Sequence, residues 1–201
     1  MKKTAACLLV LLLLLAAGCA VKPDQVKTTD APAEKTAGPG ETNETSAPAD
    51  ALGAQFMSAA LSDLDGNDVS LGDLISANQV TMLNIWGTFC GPCIQEMPDL
   101  GELARTYADR GFGIVGLTCD ILDGRGNVQD AVVEDARQII ASAGVEYPIL
   151  VLSSELAQAT DLMYVPTTYF ADASGNILEG PVIGSMSASD WQTLIEKHLA
   201  G

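Results

Sequence analysis

Positive charge is scarce in this 201-residue chain: ten Lys and Arg face 26 Asp and Glu, a formal net charge of −16. Nucleic-acid binders need clustered cations to displace counterions, and docking on anionic lipid through a basic patch needs them too. Both classes are excluded. Aromatic residues make up only 5% of the chain, and histidine occurs once, at His198. His198 and Cys119 do not form the ligand-spaced couple that a zinc site would require beside a second cysteine pair. No internal repeat is visible, and the lone Gly-x-Gly at Gly124–Gly126 is no dinucleotide fingerprint. The segment Asp120–Gln129 reads as a loop without the alternating acids of a calcium loop.

What is present is unevenly distributed. Lys2 and Lys3 precede Ala5–Ala17, thirteen residues without a polar side chain. That run is too short to span about 30 Å of hydrocarbon as a lasting helix, so residues 1–18 read as a removable export signal. Its end, Leu15-Ala16-Ala17-Gly18-Cys19, resembles the lipobox of bacterial lipoproteins, with Ala16 where Leu is more usual. The resemblance implies cleavage before Cys19, lipid on Cys19 and a protein held on the outer side of a bacterial membrane; several acyl chains would make that anchor stable. Residues 19–51 hold four of the nine prolines, no aromatic residue and few large apolar side chains. Such a stretch cannot bury enough surface to offset its ordering entropy and reads as a disordered tether.

Residues 52–201 are long enough for one domain with a substantial core. The apolar runs Val80–Trp86 and Phe112–Thr118 read as buried strands. Asp172–Asn176 reads as the turn of a hairpin, and Leu61–Asn67 as an earlier hairpin. Helical spacing places Cys93, Met97, Leu100, Leu103, Ala104 and Tyr107 on one face. It does the same for Val132, Val133, Ala136, Ile139 and Ile140, and for Trp191, Leu194, Ile195 and Leu199, with Ser189 and Gln192 as a capping box. Strand, helix, strand, helix, hairpin and helix predict an α/β domain with a mixed sheet.

The chemistry concentrates in Cys90-Gly91-Pro92-Cys93, after the first strand and at the start of a helix. Cys90 at the helix N-terminus meets free N–H groups and the positive dipole end, which favour a thiolate, the nucleophilic form. Pro92 suits the first turn, where its missing N–H costs nothing. Cys93, one turn on, points inward and is close enough to close a small disulfide ring. Half a zinc site and a purely structural disulfide are the alternatives. The first lacks a partner pair, and the second would constrain little of the unfolded chain, since stabilisation grows with loop length.

The segment Asn84–Pro98 (NIWGTFCGPCIQEMP) resembles the active-site segment of thioredoxin-like proteins, and more narrowly that of membrane-anchored TlpA/ResA-type thiol-disulfide oxidoreductases. Val165-Pro166-Thr167-Thr168 is similar to the family's second signature, a cis-proline loop facing the two cysteines. The resemblance implies a thioredoxin-like fold, a mixed central sheet flanked by helices, here with an N-terminal hairpin extension. It also implies catalysis by Cys90 and Cys93, with Glu96 managing the Cys93 proton. Trp86, Phe89, Gly91, Pro92, Val165, Pro166 and Thr167 are the implied substrate-binding residues, the Val165 backbone pairing with a substrate strand. No cofactor beyond the redox-active disulfide and no metal are implied. Two departures stand out: Asn84 replaces the Asp of thioredoxins proper, and Phe89 replaces a common Trp. Pro98 lies within the helix at a spacing the family shares.

The reading is therefore an extracytoplasmic oxidoreductase acting on disulfide-containing or dithiol partner proteins. Gly-Pro between the cysteines resembles reducing thioredoxins. The family implies a membrane electron donor of the CcdA/DsbD type and a place for apocytochrome c among the substrates. Cys119 is a candidate third redox thiol, against its plainer reading as a small half-buried residue. His198 reads as a solvent-facing residue near a helix C-terminus. Rival readings are a copper-handling chaperone using soft thiolates with His198, a non-catalytic binding lipoprotein, and a thiol peroxidase that would lack its usual upstream proline.

Overall fold

The computed structural model describes residues 47–201. The export signal, Cys19 and the tether as far as residue 46 lie outside them. Helix α1 (Ala47–Ser58) already begins before Leu52, so the folded part starts earlier than composition indicated. It leads into a two-stranded antiparallel hairpin, β1 (Ala60–Ser62) and β2 (Asp68–Ser70), and a short helix α2 (Leu71–Ser76). Then follow β3 (Val80–Trp86), α3 (Gly91–Tyr107) with a closing 3-10 turn, β4 (Phe112–Thr118), α4 (Asp130–Ala143), β5 (Ile149–Val151) and α5 (Ser154–Ala159). The chain ends with β6 (Thr167–Asp172), β7 (Ile177–Ile183) and α6 (Ala188–Leu199). No helix among the described residues is long and apolar enough to cross a membrane.

The main sheet has the order β5-β4-β3-β6-β7. β3 runs parallel to β4 and antiparallel to β6, so it is central in a mixed sheet, and both strands read from the apolar runs match the observed bounds. All seven residues of β3 are buried, as expected of a strand covered on both faces. Alternation then divides them. Met82 and Trp86 join a cluster with α3, α4 and α6, including Met97, Leu100, Ala136, Phe170, Trp191 and Ile195. Leu83 and Ile85 join the opposite cluster with Phe56, Leu71, Ile75, Leu117 and Tyr169.

Three turns share the pattern Asp-x-x-Gly-Asn: 63–67, 123–127 and 172–176. In each, the Asp carboxylate accepts the N–H groups two and four residues on and the Asn side-chain amide. Gly66, Gly126 and Gly175 take φ of 82°, 82° and 85°, a conformation L side chains resist. The middle copy turns the expected loop into a small hairpin, with Leu122 bridging Val128.

Two expectations about α6 need correction. Its N-cap is Ser187, whose extended backbone lets the hydroxyl accept from the Asp190 N–H at 3.3 Å; Ser189 lies inside the helix. His198 does not face solvent: its side chain is 8% exposed, lies 5.3 Å from the Phe170 ring, and places Nε2 3.3 Å from Glu179. Burial pushes its pKa down, with Lys197 adding to the effect.

Candidate active site

Cys90 and Cys93 form a disulfide at the start of α3. Cys90 is the N-cap, with extended backbone, and its Sγ accepts the Cys93 N–H at 3.2 Å. This places a sulfur where a helix offers unpaired donors and partial positive charge. Both cysteines are buried, Cys93 more completely. The preceding loop is pinned from below: Thr88 donates its N–H and hydroxyl to Asp120 Oδ2 at 3.0 and 2.5 Å, and Thr118 donates to Oδ1 at 3.1 Å. Asp120 thus ties the cysteine loop to the end of β4. In the sequence Asp120 is one more loop acid, because the tie depends on the parallel pairing that sets Trp86 opposite Thr118.

Pro166 stands opposite the disulfide. The Val165–Pro166 peptide is cis, as the resemblance implied. The Val165 carbonyl oxygen lies 3.6 Å from Cys90 Sγ; with both sulfurs in a disulfide there is no S–H to donate, so this is a contact. Thr167 donates its hydroxyl to Tyr164 O at 2.6 Å, and Gly184 donates its N–H to Pro166 O at 2.9 Å. The Val165 N–H makes no hydrogen bond among the described residues. Around this mouth lie Phe89 (71% exposed), Met163 (72%), Tyr164 (64%) and Ile183 (60%), four of the six exposed large apolar side chains among the described residues. Phe89 also lines a groove of about 640 Å³ between α3 and α4, with Ile94, Pro98, Ile139 and Asp135. Gly91, beside Cys90, has open space where a side chain would project.

Below the disulfide sits an unusual group. The stripe that α3 buries carries Cys93, Met97 and Leu100, and Glu96 lies on it, only 4% exposed. Three neutral donors hold its carboxylate: Asn84 Nδ2 at 3.3 Å from Oε1, and the Trp191 indole N–H and Met186 N–H at 3.2 and 3.3 Å from Oε2. Burial raises its pKa above the usual carboxylate value against the pull of those donors, and Asp99 adds repulsion. Asn84 reaches it because strand parity sends Asn84 to the α3 face; it also donates to Thr168, its cross-strand neighbour, at 3.1 Å. Asn84 is therefore a holder of the acid.

Other candidates fall elsewhere. Trp86 is wholly buried in the core and offers a partner no surface, which corrects its expected place among the substrate-binding residues. Cys119 follows β4, on the end of the sheet that bears the disulfide, but it is half-buried against the opposite core cluster, and burial and Asp120 push its thiol up to about 11. A thiol so reluctant to ionise is a poor nucleophile. Among the described residues no three of His, Cys, Asp and Glu converge as a metal site.

A mixed sheet with a dithiol pair at the helix after its central strand, faced by a cis-proline loop, defines a thioredoxin-like thiol-disulfide oxidoreductase. The chain belongs to the AhpC/TSA family, whose model matches residues 52–179. It is similar to the thiol-disulfide oxidoreductase ResA of Geobacillus kaustophilus, 29% identical over 150 residues, covering 74% of this chain and 76% of the relative. ResA of Bacillus anthracis is 25% identical over 147 residues, covering 73% and 78%. Among solved structures, a thiol:disulfide interchange protein of the thioredoxin family from Chlorobium tepidum is 26% identical, with a TM-score of 0.57, covering 70% of this chain and 92% of that one.

Proposed function

We propose that this protein reduces disulfides in partner proteins outside the cytoplasm, tethered to a membrane by lipid on Cys19. The reading rests on the Cys90–Cys93 pair at the N-terminus of α3, with the Val165 carbonyl 3.6 Å from Cys90. In the reduced form, Cys90 as thiolate attacks one sulfur of a partner disulfide. The partner's other sulfur leaves as a thiolate and takes a proton from solvent. Glu96 accepts the Cys93 proton; on one helix, residues three apart set their Cβ atoms about 5–6 Å from each other. Cys93 then attacks Cys90 Sγ, the bond from Cys90 to the partner breaks, and the partner sulfur that Cys90 had attacked departs as a thiolate that solvent protonates. Two electrons have passed to the partner, and the Cys90–Cys93 disulfide remains, so the cycle needs no further cofactor.

An extended partner segment pairs with the Val165 N–H, while Phe89, Met163, Tyr164 and the open surface at Gly91 and Pro92 receive its side chains. Residues 52–201 carry five basic and twenty acidic residues, which disfavours acidic partners. Return of the disulfide to the dithiol falls to a membrane donor of the CcdA/DsbD type, and apocytochrome c is a candidate substrate. Both follow from the family resemblance.

The test is trapping in cells. A Cys93→Ser variant is expected to accumulate mixed disulfides through Cys90, whose partners mass spectrometry identifies. No mixed disulfide under either reducing or oxidising growth would overturn the reading. Cys19→Ala is expected to release the protein from the membrane fraction; retention would refute the lipid anchor.

A further inference from the structure

Trp191 is the one aromatic side chain whose hydrogen-bonding group is aimed at the buried carboxylate. It sits on α6, 95 positions from Glu96, and is wholly buried. Its ring is fixed by packing on Phe170, with centroids 6.3 Å apart at 43°, and by Ile195 one turn on. The Met186 N–H, supplied by the turn that leads into the Ser187 N-cap, binds the same oxygen. One oxygen of Glu96 is thus gripped by the C-terminal element, while the other faces Asn84 on the central strand.

The geometry points to Trp191 as the positioning residue of Glu96: its indole N–H, with the Met186 amide, fixes the carboxylate oxygen and sets how readily that carboxylate takes and returns the Cys93 proton. The inference rests on the role given to Glu96 in the proposed reduction cycle. A donor to the carboxylate favours the charged form, and burial opposes it, so the two together decide where the group titrates. Among the described residues Glu96 has no cation among its hydrogen-bond partners, and the donors that offset its burial there are neutral.

The other groups that bear on it are few. Asp99, on its own helix, raises its pKa, and the Cys93 sulfur lies one turn earlier. Tyr147, leading into β5, holds its proton more tightly because of burial and the Glu96 charge. On α6, Asp190 turns away to Ser187, and Glu196 accepts from Tyr107 at 2.6 Å. From β6, Thr168 meets Asn84 and contributes no charge.

Cys93 loses a proton to the Glu96 carboxylate, the resulting thiolate forms the bond to Cys90, and the partner sulfur carries off the electron pair of the broken bond. When the disulfide is later reduced, Cys93 recovers a proton by the reverse transfer. Without the indole donor the carboxylate holds its proton more tightly, so the proton-accepting form appears only at higher pH.

Replacing Trp191 with benzothienylalanine, which keeps the bicyclic shape but carries no N–H, tests this in the full chain. Carbon-13 labelling of the Glu side chains, with Glu96→Gln to assign the Glu96 signal, follows the carboxyl titration by NMR. The midpoint is expected to move to higher pH, and an unmoved midpoint would overturn the inference. Trp191→Phe serves as a second variant, with urea unfolding to confirm that it folds. It is expected to move the pH profile of disulfide exchange upward in the wild-type background and to leave it unmoved in a Glu96→Gln background. An equal displacement in both backgrounds would show that Trp191 acts through packing alone and would overturn the inference. If Glu96→Gln itself keeps the wild-type pH profile, the role of Glu96 in the cycle fails, while the carboxyl titration still decides whether Trp191 governs the acid.

Discussion

The two faces of β3 bury different chemistry. On one face Leu83 and Ile85 share a cluster with Phe56, Leu71, Ile75, Leu117 and Leu150, and the hydroxyls buried there, of Thr81 and Tyr169, donate to backbone carbonyls. On the other, Met82, Asn84 and Trp86 look toward α3 and α6, where Glu96, the Trp191 nitrogen and the Tyr147 hydroxyl are also buried. Among the described residues the Trp86 Nε1 and the Tyr147 hydroxyl find no hydrogen-bond partner. A buried polar group without a partner costs about 1–3 kcal/mol. The face beneath the disulfide therefore carries a polar burial cost, set against its own large apolar cluster. The difference separates what stabilises the domain from what equips it to move a proton under two cysteines.

The largest effect expected from this division is on the apolar face. Leu83→Ala removes a fully buried side chain and should destabilise the protein by about 2–5 kcal/mol in urea unfolding. The folded fraction should keep the pH profile of disulfide exchange. A displaced profile would mean that the two faces are not separable.

A smaller loss of stability, with a change of chemistry, is expected on the other face. Asn84→Leu keeps the branched outline, with bulkier ends, but leaves Glu96 Oε1 and the Thr168 hydroxyl without their donor, at a cost of about 1–3 kcal/mol. Exchange should also need a higher pH, since a donor to the carboxylate is lost. Wild-type stability together with a wild-type profile would break the comparison.

Much of this architecture is legible in the sequence, for reasons that differ by element. Val80–Trp86 and Phe112–Thr118 are continuous apolar runs of strand length, and β3 and β4 have those bounds. The cysteine pair announces itself by spacing and by its place before an amphipathic helix. β5, α2 and α5 escape detection because three or six residues are too few to display a period. α1 escapes because its first residues continue the Ala-rich, Pro-containing composition of the tether. Glu96 could be singled out only through the family resemblance, which places an acid three residues after the second cysteine. Its holders could not: Trp191 reads as one more apolar position on α6, and only the fold shows that its nitrogen meets a carboxylate. Trp86 fails in the opposite sense: the family resemblance makes it a substrate-binding residue, although its place at the end of a buried strand already points it into the core.

Glu96→Gln sharpens the comparison through pH. Because burial holds the Glu96 pKa above its ordinary 4.5, the folded state binds this proton more tightly than the unfolded chain does. Its stabilising contribution is thus complete below pH 4.5 and declines as pH rises to the raised value, above which it is lost. Urea midpoints of wild type and Glu96→Gln should therefore shift in favour of the variant as pH rises through that window. A constant difference across the window would show that the carboxyl is not perturbed by burial.

The smallest effect belongs to a carboxylate that lies on neither face. Asp123 is exposed in its turn, and hydrogen bonds from Asn127 and then Arg125 hold its pKa below 3.8. The folded state here prefers the charged form, so the linkage runs the other way: the contribution is present above pH 3.8 and lost as pH falls through the lowered value. Asp123→Ala should lower the thermal midpoint slightly at neutral pH and not at all in strong acid. Glu96→Gln and Asp123→Ala thus titrate with opposite sign in one protein. The sign separates a carboxylate kept in spite of its surroundings from one kept because of them, and if both variants responded to pH in the same direction, burial would not be what distinguishes the site from the turns.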